Sequence, residues 1–89
     1  MATLHLIIQG KVQGVFYRVS AKKKAQQMGI TGWVKNTPEK HVEIMASGTM
    51  EQLVDFVEWC NEGPPQARVE IIKSKKVAEQ HFDEFKILR

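Results

Sequence analysis

Thr49-Met-Glu-Gln52-Leu53-Val-Asp-Phe56-Val57-Glu-Trp-Cys60-Asn-Glu-Gly63-Pro64-Pro65 reads as a helix that carries its own start and stop signals. Thr49 followed three residues later by Gln52 is a capping box, in which each side chain satisfies a backbone N–H at the helix start. Leu53, Phe56, Val57 and Cys60 recur at i, i+3, i+4 and i+7, giving one apolar stripe and therefore one buried face. Gly63 and the two prolines end the helix.

A helix with a single apolar stripe needs a partner, and the flanking segments supply strands. Immediately upstream, residues 42–47 alternate Val42, Ile44 and Ala46, and residues 30–36 place Ile30, Gly32 and Val34 on one face. Thr37 to His41, with a proline among polar residues, reads as the turn between them. Further upstream, Ala21, Ala25 and Met28 predict a short helix over 19–28 with Gly29 as its C-cap, preceded by a strand over 3–9 with Leu4, Leu6 and Ile8 alternating. Downstream lie two extended stretches: Ala67 to Val77, with Val69 and Ile71 on the core face, and Phe82 to Leu88, with Phe85 and Ile87. The last is expected to pair with its predecessor. Strand, helix, strand, strand, helix, strand makes a two-layer α+β sandwich, and its natural closure is the ferredoxin-like βαββαβ arrangement, an antiparallel sheet with both helices on one face.

Length and composition bound the rest. The 89 residues make one domain, 1–89, with 43% hydrophobic and 26% charged residues, ordinary values that argue against disorder. The longest apolar stretch, Leu6 to Ile8, is far too short to span a bilayer, and no cleavable leader is expected at the N-terminus. A single cysteine, Cys60, rules out an internal disulfide framework and fits a reducing compartment, so a cytoplasmic location is expected. The net charge of +3 is mildly basic, with lysines gathered at Lys22–Lys24 and at Lys73, Lys75 and Lys76. These runs read either as solvated faces or as attraction for an anion.

Between the first strand and first helix lies Gly10-Lys11-Val12-Gln13-Gly14-Val15-Phe16-Tyr17-Arg18. A helix start offers unpaired N–H groups, and glycine lets a backbone turn successive N–H groups inward around an anion. Arg18 adds a permanently charged fork that matches two phosphate oxygens. The stretch is neither a P-loop, which needs Gly-Lys-Ser/Thr, nor the dinucleotide fingerprint, since its glycines sit four apart. A turn glycine beside a surface arginine would read the same way.

Two segments taken together resemble the acylphosphatase family. Gly10-Lys-Val-Gln-Gly-Val-Phe-Tyr-Arg18 looks like its first signature, and Gly32-Trp-Val-Lys-Asn36, followed by Val42 and Gly48, looks like its second. The resemblance extends over essentially the whole chain. It implies hydrolysis of carboxyl-phosphate anhydrides without metal or cofactor, a phosphate-binding role for Arg18 and a water-orienting role for Asn36. It also implies a substrate-binding cradle formed by Gln13, Gly14, Val15, Phe16 and Tyr17. The partner is then a small acyl phosphate, with no nucleic acid or membrane, and a monomer is expected. Lys40 stands where the family usually has glycine, which bears on turn geometry more than on chemistry.

The remaining inventory suits that substrate. His5, His41 and His81 are in no ligand or triad spacing, Cys60 lies on the apolar stripe, and no serine elbow or paired-carboxylate motif is present. An acyl phosphate expels a carboxylate that departs at pH 7 without a general acid, and its loose transition state needs little nucleophilic push. Asn36 can align a water but cannot act as a base, and on residue type alone it also reads as a turn starter. Trp33 is expected to pack against or rim the sheet. Two rivals stay open: a binder of phosphorylated metabolites on the same loop, and an RNA-binding domain of the same element order. The second would stack bases on aromatics in the first and third strands, and Leu-His-Leu-Ile-Ile and Val-Glu-Ile-Met-Ala-Ser hold none.

Overall fold

The computed structural model describes residues 1–88; Arg89, the last residue of the expected unit 1–89, lies outside the described residues. The elements run β1 (Ala2–Lys11), α1 (Tyr17–Gln27), β2 (Thr31–Asn36), β3 (Val42–Gly48), α2 (Met50–Glu62), β4 (Arg68–Val77) and β5 (Phe85–Ile87). They form one sheet in the order β4-β1-β3-β2-β5 with both helices packed against it, so the ferredoxin-like α+β sandwich is the fold. Among the described residues no helix is long and apolar enough to cross a membrane.

Strand alternation builds the core. Leu6 and Ile8 of β1, Val34 of β2, and Val42, Ile44 and Ala46 of β3 are fully buried against Ala21 and Ala25 of α1 and Leu53, Phe56 and Cys60 of α2. The α2 capping box is present as expected, with Thr49 Oγ1 accepting from Gln52 N at 3.1 Å and Gln52 Oε1 accepting from Thr49 N at 2.9 Å. Gln52 also donates through Nε2 to Met28 O at 2.9 Å, so the residue that starts α2 holds the end of α1.

Three details differ from the sequence reading. First, α1 begins at Tyr17, two residues early, and β1 runs on through Lys11, which shortens the true loop to Val12–Phe16. The reason is Tyr17 itself: its ring is buried, and its hydroxyl donates to Cys60 O at 2.7 Å, drawing the first turn into the core.

Second, Ile71 does not share the core face with Val69. It is 51% exposed, and Ile72 packs on the core instead. The register steps from Gln9↔Ile71 to Gly10↔Val69, leaving Glu70 as the extra residue of a β-bulge that flips the alternation. Gly10, at φ 131, permits the close crossing there: a Cβ would run into Arg68 O and come within 2.8 Å of Glu70 N.

Third, the final stretch does not pair with β4. β5 lies on the opposite edge of the sheet, parallel to β2, so the sheet is mixed and only its other four strands are antiparallel throughout. A hairpin on the outer edge of β4 would carry Phe85 away from the helix layer. Beside β2 it is buried edge-on against Phe56, with ring centroids 6.2 Å apart. On the way, residue 80 crosses the open sheet face, where Gln80 N donates to Thr3 Oγ1 and Gln80 O accepts from Ser47 Oγ. Trp33, expected to pack against or rim the sheet, lies half-exposed on β2 with Lys35 Nζ 5.3 Å from its ring centroid.

Burial pushes the Cys60 thiol from its ordinary 9.0 up to about 12 and raises the Tyr17 phenol above its ordinary 10.0. The folded chain therefore keeps both protons longer than the unfolded chain does. Above pH 9 the unfolded state ionises first, and stability falls as pH rises, by up to about 1.4 kcal/mol per pH unit for each group. Melting temperatures measured from pH 8 to 11 should decline from about pH 9, and Cys60→Ala should remove the earliest part of that decline.

Candidate active site

Val12 and Val15, both nearly fully buried, pin the loop between β1 and α1 to the core. Between and after them, Gly14 at φ 73 and Phe16 at φ 62 take the left-handed conformation. Alternating hands along a short loop turn successive N–H groups toward one point, which is the geometry of an anion nest. At Gly14 a Cβ would meet nothing within 4 Å, so glycine serves the dihedral angle there and not the space.

The loop runs into a helix start that lacks every usual compensation. Phe16 provides no side-chain cap, and the first turn of α1 contains no acidic residue. Its donors and partial positive charge are thus unanswered, and Arg18 adds a full positive charge where helices favour negative ones. Such an arrangement is unfavourable alone and favourable once an anion sits before the helix.

Asn36 arrives from β2. Ile8 of β1 and Asn36 of β2 both pair with Val42, so all three lie in one row across the sheet, two strand spacings or roughly 10 Å from end to end. β1 and β2, which flank β3 and run in the same direction, therefore bring the β1–α1 loop and Asn36 to the same end of the sheet. A cleft of about 250 Å³ joins Val12, Gln13, Gly14 and Phe16 to Arg18, Val19 and Asn36. Asn36 Oδ1 is buried and accepts no hydrogen bond from the protein among the described residues. A buried carbonyl oxygen left unpaired is costly, by roughly 1–3 kcal/mol, which sets Asn36 apart from an ordinary turn residue. Larger hollows of about 350 and 450 Å³ lie near Trp59 and Lys24, and among the described residues neither is lined by an unpartnered buried side-chain acceptor.

The expected site residues thus divide. Arg18, Asn36, Gln13, Gly14 and Phe16 line the cleft, whereas the side chains of Val15 and Tyr17 point into the core and leave only backbone for a ligand. The Gln13 side chain has a task that sequence reasoning missed. Its Nε2 donates to Thr37 O at 3.1 Å and His41 O at 2.8 Å, tying the β1–α1 loop to the turn that follows Asn36. That turn is closed from within as well: Thr37 N donates to His41 O at 3.0 Å, and His41 N donates to Thr37 Oγ1 at 3.1 Å. A glutamine in a glycine loop carries no sequence mark of such a bridge; it emerges only when the two loops meet. Lys40 adopts φ 69, the conformation in which glycine is easier.

Residues 4–87 match the family model described as Acylphosphatase. The chain is 47% identical over 83 residues to an acylphosphatase of Marinobacter nauticus, covering 92% of this chain and 90% of that one. It is 43% identical over 90 residues to an acylphosphatase of Methylococcus capsulatus, covering 100% and 98%. The crystal structure of acylphosphatase from Bacillus subtilis superposes with a TM-score of 0.97 at 32% identity, covering all of both chains.

Two consequences can be measured by thermal melting. Gln13→Met keeps the length of the side chain but removes both donated bonds, and should lower stability by about 1–2 kcal/mol. Lys40→Gly relieves about 1 kcal/mol of left-handed strain, partly offset by the freer unfolded chain. A rise of about 2–4 °C is expected, and a drop would show that Lys40 is unstrained.

Proposed function

The chain belongs to the acylphosphatase family, and from that premise we propose that it hydrolyses acyl phosphates to a carboxylate and inorganic phosphate, with Arg18 and Asn36 as the acting side chains. The observation that carries the reading is that Asn36, whose Oδ1 is buried without a hydrogen-bond partner among the described residues, lines the same cleft as Arg18 and the left-handed loop.

The loop N–H groups and the Arg18 fork hold the phosphoryl oxygens, taking up charge at the two places where the empty helix start leaves donors unanswered. Asn36 Oδ1 accepts a hydrogen bond from the attacking water, which turns that water's lone pair toward phosphorus. As the water oxygen bonds to phosphorus, the bond from phosphorus to the bridging oxygen breaks and the carboxylate leaves with the electron pair. The water's proton passes to the product phosphate. With so good a leaving group, alignment and charge stabilisation suffice, and neither a strong base nor a metal ion is required. The same reading has the single unit 1–89 working as a cytoplasmic monomer on a small molecule, with no cofactor, nucleic acid or membrane partner.

Steady-state hydrolysis of benzoyl phosphate in excess EDTA tests this directly: turnover should persist, with a nearly flat rate from pH 5 to 7 because the proposed step uses no general acid or base. Arg18→Lys keeps the charge but loses the fork, so substrate and inhibitory phosphate should both bind at least about tenfold more weakly. Asn36→Ala should reduce kcat by about a hundredfold or more with phosphate inhibition nearly unchanged, since its amide meets the water and not the anion. Equal loss of binding and turnover in Asn36→Ala would instead assign that residue to shaping the loop.

A further inference from the structure

Leu6, Ile8, Val34, Val42, Ile44 and Ala46 turn toward the helices, so strand alternation sends the residues between them to the opposite face of the sheet. Cross-strand register sets that face in rows. One row runs Lys75, His5, Met45, Trp33 and Lys86 from β4 to β5, and the next runs Lys73, Ile7, Glu43 and Lys35. Each row begins and ends with a lysine, while Ile7, Met45 and Trp33 put half-buried apolar surface in the middle. The one carboxylate of the two rows, Glu43, is already engaged by His5 Nε2 at 2.6 Å and Lys35 Nζ at 3.7 Å. Four lysines against that carboxylate give this face as large a positive surplus as the +3 of the whole chain.

We infer that this face docks an amphipathic helix of a protein partner, its apolar stripe on Ile7, Met45 and Trp33 and its acidic flanks against the lysines. Dimensions and charge carry the inference, which is independent of the proposed hydrolysis. Lys75 and Lys86 stand four strand spacings apart, roughly 19 Å, and Lys73 and Lys35 three, roughly 14 Å. A helix with its side chains is about 10–12 Å across, so one laid along the strands fits between the two lysine flanks. Helices on both faces of a sheet are an ordinary way to bury it. The segment after β4 crosses one row further on, where Gln80 bonds to Thr3 and Ser47, and bounds the patch at that end. Asp83 and Glu84 of that segment line a hollow with Trp33 and Lys86. They weaken the positive charge of the β5 flank and leave Lys73 and Lys75 of β4 as the stronger one. An apolar middle between cations suits a helix that has both an apolar stripe and acidic edges. None of these residues lines the cleft that holds Arg18 and Asn36.

The probe is a synthetic helical peptide with leucines at i, i+3, i+4 and i+7 and glutamates on both flanks, titrated into isotopically labelled protein and followed by amide NMR. Shifts should gather on β1, β3 and β4 around Ile7, Met45 and Lys73. Lys73→Glu combined with Lys75→Glu should weaken binding by about tenfold or more and leave turnover of benzoyl phosphate unchanged. A peptide with lysine flanks should bind that double variant better than the unmodified protein. Trp33→Ala should weaken binding of the glutamate peptide by about fivefold or more. Absence of binding, shifts confined to the β1–α1 loop, or equal binding of a peptide with the same residues in scrambled order overturns the inference. Tighter binding of a single-stranded oligouridylate to the same rows overturns it as well, and makes the face a nucleic-acid surface.

Discussion

The hydroxyl of Tyr17 donating to the carbonyl of Cys60 is the contact on which the arrangement of the rest depends. It joins the first residue of α1 to the last turns of α2 across the core, with Trp59 5.8 Å away on one side of the ring. At the end of α2, a Cβ on Gly63 would come within 2.9 Å of the Tyr17 ring, so the stop of one helix is fitted against the start of the other. Because Arg18 follows Tyr17 directly and Phe16 precedes it, a single buried phenol sets where the loop and Arg18 stand relative to the sheet.

The opposite wall of the cleft is fixed differently. Asn36 owes its position to pairing in β2, and the turn beyond it is held by hydrogen bonds within itself and by the amide of Gln13. The loop between β1 and α1 is thus anchored twice: from below by Val12 and Val15 in the core, and sideways by Gln13 on the turn. For the proposed mechanism this double anchoring matters, since groups that do no proton transfer act only as well as they are held.

Much of this was legible in the sequence, for reasons that are local. The capping box at Thr49 and Gln52, the stripe through Leu53, Phe56 and Cys60, and the alternation in β1, β2 and β3 are all set by neighbours along the chain, and each stands where periodicity puts it. Arg18 and Asn36 were found through two motifs, and the structure brings both to one cleft. What was not legible depends on partners far away in the chain. The bulge at Glu70 exchanges Ile71 for Ile72 through a crossing with Gly10, and β5 joins the far edge because Phe56 and the helix layer are there to receive Phe85. The bridge from Gln13 likewise exists only between two loops that sequence places more than twenty residues apart.

The uncapped start of α1 links ligand occupancy to the folding equilibrium. A phosphate oxygen seated before Tyr17 would do for this helix what Thr49 does for α2, supplying the acceptor that its first turn lacks. By mass action, any anion that binds the native cradle and not the unfolded chain deepens the native state by RT ln(1 + [L]/Kd), about 2.7 kcal/mol when the anion stands at a hundred times its dissociation constant. For a chain of 89 residues that is a large share of total stability. The charge frustration at the mouth of α1 would then be a property of the empty protein alone, relieved by any anion that binds before Tyr17.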